Sequence, residues 1–425
     1  MTKEIFFVAF LFTIAPSLAS ATVCAPAPTS STIINVKNYG ATGNGSTNDT
    51  SAINSAIGAV PSGGTVYIPD GIYMIDALTS IKPKSNMTLS LSSGAVLKAI
   101  PNNQTNYNII SIDKASNVNV IGGTVKGERY EHKGSKGEWG MGIGIYTSTN
   151  IVIEGTTVRD VWGDGFYLDL ATVNTTFCSV VADNNRRQGM SIILSDGVVV
   201  KNSIFKNTNG TAPSAGIDME PDSAGAAVRN VQILSSQFIS NKGPGILSGG
   251  PHILGNTVAV VNVTINNNLI ESNGTSGEWT SGVQLEGINV SNNKVMNNFI
   301  RNSLGQGGVL ISDGAVGNFI TGNTFCNNSP QDITGETSDN KISGNITSCT
   351  AIWNDGTPTV TLTSSPTSIT SGQSPPLTWS STNTTSARSV SATTQLNAST
   401  KFVIGNSIQV SSRPLRSVQP HQVNE

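Results

Sequence analysis

Gly142-Ile143-Gly144-Ile145-Tyr146 opens a phrase that the chain writes again as Gly165-Phe166-Tyr167-Leu168-Asp169, Gly189-Met190-Ser191-Ile192-Ile193 and Gly216-Ile217-Asp218-Met219-Glu220. It continues as Gly245-Ile246-Leu247-Ser248, Gly282-Val283-Gln284-Leu285-Glu286 and Gly308-Val309-Leu310-Ile311-Ser312. The steps between the glycines are 23, 24, 27, 29, 37 and 26 residues. A repeat of that length, made of short strands and turn residues, describes a solenoid whose units bury their apolar faces against one another. The unit here is one coil of a parallel β-helix.

Side chains alternate across a strand, so the phrase sorts its own residues. Ile143, Ile145, Phe166, Leu168, Met190, Ile192, Ile217, Met219, Val283, Leu285, Val309 and Ile311 face one way and are apolar throughout. They are expected to line the interior, with Ser248 in the Gly245 phrase as the exception. Tyr146, Tyr167, Asp169, Ser191, Asp218, Glu220, Gln284 and Glu286 face the other way. They are expected outside, one above another on a single wall, and that column is where function is sought.

The chain has 425 residues, 44 of them glycine, with 12% charged residues and a net charge of −2. Few charges and many turn residues suit a β-solenoid, which needs a turn at every corner. The balance excludes a strongly basic nucleic-acid binder and leaves both neutral and acidic polysaccharides open as partners.

Residues 1–21 read as a secretory signal: Lys3, an apolar core from Ile5 to Ile14, and Ala19-Ser20-Ala21 as a cleavage site. About ten apolar residues are too few to span a bilayer. The expectation is export, to the cell surface, periplasm or medium, with no membrane insertion after cleavage. Val23 makes lipidation at Cys24 a weaker reading. Of the four cysteines, Cys326 and Cys349 are 23 residues apart, about one coil, and could meet on neighbouring coils. Cys178 is expected as a small buried hydrophobe. No Cys/His spacing suggests zinc.

A linker, 22–32, leads to Asn35-Val36-Lys37-Asn38-Tyr39-Gly40-Ala41-Thr42-Gly43-Asn44-Gly45-Ser46-Thr47-Asn48-Asp49-Thr50. Ser51 to Ala59 reads as a helix with Thr50 or Asp49 as its N-cap. Gly63-Gly64-Thr65-Val66-Tyr67-Ile68-Pro69-Asp70-Gly71-Ile72-Tyr73 reads as strand, turn and strand. These motifs closely resemble the entry segment of the pectate-lyase superfamily of right-handed parallel β-helix proteins, which includes pectate lyases, polygalacturonase-like hydrolases, mannuronan C5-epimerases and phage tailspikes. The resemblance implies an all-β, right-handed parallel β-helix over 33–350, capped by the short helix. It does not select a reaction. The Asn-Thr-Asp, Asp-Asp and Gly-His-Gly phrases of polygalacturonases and the Asp-Pro-His phrase of the epimerases are absent. Asn185-Arg186-Arg187-Gln188-Gly189 is similar to the epimerases' arginine coil.

Strands are expected at Met87–Leu91, Val96–Ala99, Ile109–Ile112 and Val118–Ile121. The charged loop from Gly127 to Gly140 is expected either as one wall of a cleft or as a solvated excursion. Asn184, Asn207, Asn241, Asn273, Asn302 and Asn327 each follow an apolar strand and are expected as stacked corner residues. Beyond Cys349, residues 351–390 resemble the opening strands of a bacterial Ig-like module that is not completed, and 391–425 read as disordered.

The chemistry concentrates in three neighbouring phrases. Asp169, Asp218 and Glu220, with Arg187 at the corner between, can bring carboxyls to the separation of about 6.5–9.5 Å used by inverting glycosidases. Like charges that close raise at least one pKa while an arginine lowers its partner's, so an acid and a carboxylate can coexist. Trp139, Tyr146, Trp162, Asp164, Tyr167, Arg186, Gln188 and Glu286 are the candidate substrate-binding residues. Hydrolysis needs no cofactor. A Ca²⁺-assisted polyuronate lyase or C5-epimerase would instead use Asp218, Glu220 and Asp222 as metal ligands and Arg187 as base. A third expectation, from another class, is a noncatalytic glycan-binding or adhesive solenoid.

Overall fold

In the computed structural model, residues 24–249, 257–275 and 279–353 are described, together with the strands Thr359–Ser364 and Leu377–Thr382. The first unit is the solenoid. Among the described residues its walls are three parallel sheets of 14, 12 and 9 strands, built by stacking successive coils, with Ala227–Leu234 pairing with both Ala259–Val261 and Thr264–Asn266. Within one coil the chain runs from Phe166–Asp169 in the nine-stranded wall to Thr172–Cys178 in the fourteen-stranded wall. Val181–Asp183 then supplies the twelve-stranded wall before Met190–Ile192 begins the next coil. The glycine phrases thus form the nine-stranded wall, and their register is the one the repeat demands: Ile143 opposes Phe166, Phe166 opposes Met190, Met190 opposes Ile217 and Ile217 opposes Ile246.

The apolar set of the phrase is fully buried, from Ile143 and Ile145 to Val309 and Ile311. The other two walls add Phe177, Phe205, Phe238 and Phe325 to the same interior column. Phe205 and Phe238 stack with ring centroids 5.3 Å apart and planes 6° from parallel. Burying each such side chain is worth about 1.5–3 kcal/mol, and here every coil contributes to one continuous core. Ser248 does point inward, and its hydroxyl has no hydrogen-bond partner.

The helix spans Thr50–Ala59 and turns Ile53, Ala56 and Ile57 onto the open end of the first coil. Asp49 is its N-cap residue by position, but its carboxylate accepts hydrogen bonds from the Thr42 and Gly43 amides instead. Asn48 Oδ1 accepts from the Thr50 amide, at 3.1 Å, and so caps the helix in its place. The expected early strands are present as Met87–Leu91, Ala95–Ala99, Asn106–Asp113 and Ser116–Ile121.

The asparagine column divides into two. Asn184, Asn207, Asn302 and Asn327 adopt left-handed backbone, with φ between 54° and 59°, and turn the corner. Asn241 and Asn273 sit one position further on, fully buried, joined by Nδ2 donating to Oδ1 at 2.9 Å. A second internal ladder, Asn268–Asn298–Asn323–Asn345, repeats the same bond at 2.9–3.0 Å. The ladder also satisfies backbone groups, such as the Asn268 amide on Asn298 Oδ1, that would otherwise be orphaned at a corner.

Cys178 corrects one expectation. It is buried, but it forms a disulfide with Cys24, 154 residues away; Cys326 and Cys349 form the other. The linker is therefore fastened to the flank of the solenoid, where Glu154 Oε2 also accepts from the Cys24 and Ala25 amides. In the second unit, Thr359–Ser364 and Leu377–Thr382 pair antiparallel. The segment read as a signal (1–21) and the tail (391–425) lie outside the described residues, as does most of 351–390 apart from 351–353 and these two strands. No helix among the described residues is long and apolar enough to cross a membrane.

Candidate active site

Register places the outward residues of the glycine wall in two rows. One contains Tyr167, Ser191, Asp218, Leu247 and Gln284. In the other, Tyr146 opposes Asp169, and Glu220 lies two strand steps beyond Asp169, its amide bonded to the Ile192 carbonyl. The acids at 169, 218 and 220 therefore share a wall. They do not form the solvated column expected of an outer strand face: Asp218 is 0% exposed and Ser191 is equally buried. Gln188, in the corner before Met190–Ile192, lies directly against Asp218.

Arg187 is the centre of the arrangement. Its Nη1 donates to Asp164 Oδ2 at 3.0 Å and its Nη2 to Glu220 Oε1 at 2.7 Å. Its Nε is 4.0 Å from Glu138 Oε1, and that buried N–H has no hydrogen-bond partner. Ser191 Oγ donates to Asp164 Oδ2, and Gln188 Nε2 donates to Asp218 Oδ2 at 2.6 Å. Gln188 Oε1 accepts from the Ala215 amide. One oxygen of Asp164 and one of Asp218 remain buried without a partner.

The electrostatics follow from burial. Burial raises Asp164 to about 6, with Arg187 opposing and Glu220 adding to the rise. Asp218 is pushed well above the ordinary carboxylate range by burial and then by Glu220, although Arg187 opposes the shift. Glu220 is raised by burial, against Arg187, with Asp222 and Glu138 adding to the rise. Burial alone would lower the Arg187 guanidinium, but Asp164, Glu220 and Asp218 together hold it above its usual value. The cluster thus sets three carboxyls with raised pKa values around one fixed cation.

Access divides the cluster. Glu220 keeps 23% of its side-chain surface exposed and Glu138 keeps 33%, whereas the Asp164 side chain has none. Asp169 is half-buried, accepts from the Leu170 amide, and is raised by burial and by Asp222. It belongs to an adjoining group with Tyr146 and Tyr167, whose ring centroids are 5.9 Å apart. Burial, with Asp169 and Asp222, also raises the Tyr167 phenol, and burial raises Tyr146 to about 12.

Several candidates for sugar contact are used internally. Trp162 has no free face: His132 stacks on one side, with centroids 4.0 Å apart, and the Arg186 guanidinium covers the ring at 3.8 Å. Arg186 Nη1 and Trp162 Nε1 both donate to the Gly137 carbonyl. Gln188 and Asp164 are fully buried, and Glu286, also buried, accepts from Gln284 Nε2. Trp139, 45% exposed, with half-buried Tyr146 and Tyr167, remains available to a ligand.

The charged loop is anchored to the solenoid through Glu128, Arg129 and His132, while Glu131, Lys133 and Lys136 stay exposed. Glu128 is buried and accepts from Tyr107 Oη and from His132 Nδ1 at 2.9 Å. Arg129 reaches two later coils, donating to the Asn184 carbonyl and Oδ1 and to the Asn209 carbonyl and Oδ1 at 2.6–3.0 Å. The sequence reading omitted Glu138 and Glu128. The loop's charge density was their only signal, and it gave no partner for either.

The calcium donor set does not assemble. Asp218 is engaged by Gln188, Glu220 by the cationic Arg187, and Asp222 is exposed. Among the described residues no three His, Cys, Asp or Glu side chains converge as a metal site requires.

The family model described as Rhamnogalacturonase A/epimerase, pectate lyase-like matches residues 33–298. The uncharacterized protein YclG of Bacillus subtilis is 30% identical over 266 residues, 52% of this chain and 45% of YclG. Mannuronan C5-epimerase AlgE2 of Azotobacter vinelandii is 28% identical over 191 residues, 41% of this chain and 19% of the epimerase. The chain therefore spans less than half the length of these relatives. Among solved structures, tailspike gp49 of Acinetobacter baumannii bacteriophage Fri1, a capsular polysaccharide depolymerase, aligns over 76% of this chain and 59% of the tailspike. Its TM-score of 0.52 at 14% identity is a likeness of fold.

Proposed function

We propose that this chain, which belongs to the Rhamnogalacturonase A/epimerase, pectate-lyase-like family, hydrolyses glycosidic bonds of a polysaccharide laid along its wall of glycine phrases. The observation that carries the reading is Glu220: a partly exposed carboxyl with a raised pKa, 2.7 Å from a permanently charged guanidinium. In its protonated form Glu220 gives its proton to the leaving glycosidic oxygen, and Arg187 stabilises the carboxylate that remains. Asp169, two strand steps away and so about 9.6 Å at the backbone, takes the role of the second carboxyl, which activates water in an inverting pair. Asp164 and Asp218 touch no sugar. They are positioning residues that fix Arg187 and set the local field.

The arginine argues against proton abstraction next to a uronate. A base must first lose its own proton, and the carboxylates around Arg187 hold that proton on. Two disulfides support an oxidising compartment and hence export. The test is incubation of the protein with a polysaccharide panel. Hydrolysis gives new reducing ends without absorbance from unsaturated uronate, and Glu220→Gln removes them while thermal unfolding stays cooperative. Full cleavage by Glu220→Gln sinks the assignment. Unsaturated products point to a lyase, altered uronate stereochemistry without shortening to an epimerase, and binding with no product to an adhesive solenoid.

A further inference from the structure

We infer that Tyr146 and Tyr167 form a stacking subsite for one pyranose ring of the polymer, and that Gly144 and Asn108 are the residues that position it; this rests on the glycine wall being the substrate face. The backbone of Gly144 lies outside the left-handed region, so no turn calls for a glycine there. In the outward row Ser111, Gly144, Tyr167, Ser191 and Asp218 it is the one position without a side chain. What it supplies is room. A Cβ at 144 would collide with Asn108 Oδ1 and would lie 2.6 Å from Tyr146 Oη and 2.7 Å from Tyr146 Cε2.

Tyr146 stands two residues further along the same strand, on the same face. Its ring leans back over Gly144, and its Oη donates to Asn108 Oδ1, one coil earlier, at 2.9 Å. Tyr167 opposes Gly144 on the next strand, and the two phenol rings lie with centroids 5.9 Å apart and planes 45° from parallel. Both residues are half-buried and keep surface open to solvent. The hydrogen bond over Gly144 fixes the Tyr146 ring before a ligand arrives, which removes an ordering cost from binding. A pyranose lays its apolar C–H face on such rings while its hydroxyls stay in water. Tyr146 opposes Asp169, on the side away from Glu220, three strand steps from that acid and so about 14 Å at the backbone. A ring seated there holds the polymer and takes no part in the proton transfer.

The measurement is equilibrium binding of length-matched oligogalacturonides, oligomannuronides and gluco-oligosaccharides to the full chain carrying Glu220→Gln. At least one of the three is expected to bind. Tyr146→Ala is expected to weaken it roughly tenfold, and Gly144→Ala and Asn108→Ala severalfold. The atoms a methyl at 144 would meet are the far ends of two side chains, so Gly144→Ala should displace them and still unfold cooperatively. Gly144→Ala should cost nothing more once Tyr146 is alanine, a coupling that a general effect on the fold does not produce; should Gly144→Ala fail to fold, the same cycle is read with Asn108→Ala. With Glu220 intact, the variants should raise KM for a cleaved polymer and leave kcat little changed. No binding of any of the three oligomers, unchanged binding by Tyr146→Ala, or the same loss with and without Tyr146 overturns the inference. Cleavage with unaltered KM in every variant would defeat it and leave the hydrolytic reading standing, while Tyr146-dependent binding of an oligomer that is never cleaved would do the reverse.

Discussion

Glu220 lies where the buried cluster meets solvent, and its substitution is the most direct test at the scale of single residues. Glu220→Gln is expected to lower kcat by about 10²–10⁴, the usual contribution of a positioned general acid, with little change in thermal stability. Asp164 governs a different observable. Its carboxyl is raised from the ordinary aspartate value to about 6, so the folded state binds more protons than the unfolded chain between those two values. Its contribution to stability is therefore present at low pH and lost as pH rises through about 6. The melting temperature should fall over that window, and Asp164→Asn should flatten the profile. A wild-type profile that is flat from pH 4 to 7 would refute the burial assigned to Asp164. Ser248, the inward residue that departs from the apolar pattern, offers a gain. Ser248→Ala removes a desolvated hydroxyl with no partner and should stabilise the chain by about 1 kcal/mol, read as a higher unfolding midpoint.

At the scale of elements, strands were legible and corners were not. A two-residue alternation repeated at coil length leaves one solution for Ile143, Phe166, Met190 and Ile217, and the structure buries all four. The same logic put Asp169, Asp218 and Glu220 on one wall, but it could not show that Asp218 would be buried against Gln188 from a neighbouring corner. That contact joins residues 30 apart in the chain. Trp162 looked like a sugar platform because an indole near acids often is one, yet His132 and Arg186 occupy its two faces. Trp162→Leu should therefore disturb the seating of the Gly127–Gly140 loop, lowering the melting temperature and kcat together and not raising KM alone. The asparagine ladder shows a similar limit. Composition announced corner asparagines, but only coordinates separated those that bend the backbone from those that join coils inside. Asn298→Ala removes the acceptor for the Asn268 amide and side chain. The loss should be on the order of 3 kcal/mol, visible in a denaturant midpoint.

At the scale of the whole molecule, the solenoid is stabilised coil by coil, and its ends require separate treatment. The helix Thr50–Ala59 closes the first coil, and the Cys24–Cys178 bond fastens the segment before it across 154 residues. Sequence could suggest the Cys326–Cys349 pair, whose spacing equals one coil, but not a partner 154 residues from Cys24. Cys24→Ser should lower stability by at most about 5 kcal/mol, the ceiling set by loop-closure entropy. The Arg129 contacts carry a broader consequence. A side chain that grips two downstream coils through four acceptors turns a long insertion into part of the frame. Such a segment does not swing like a lid, so the polar groups facing an incoming polymer stand assembled in advance and little ordering remains for the encounter itself.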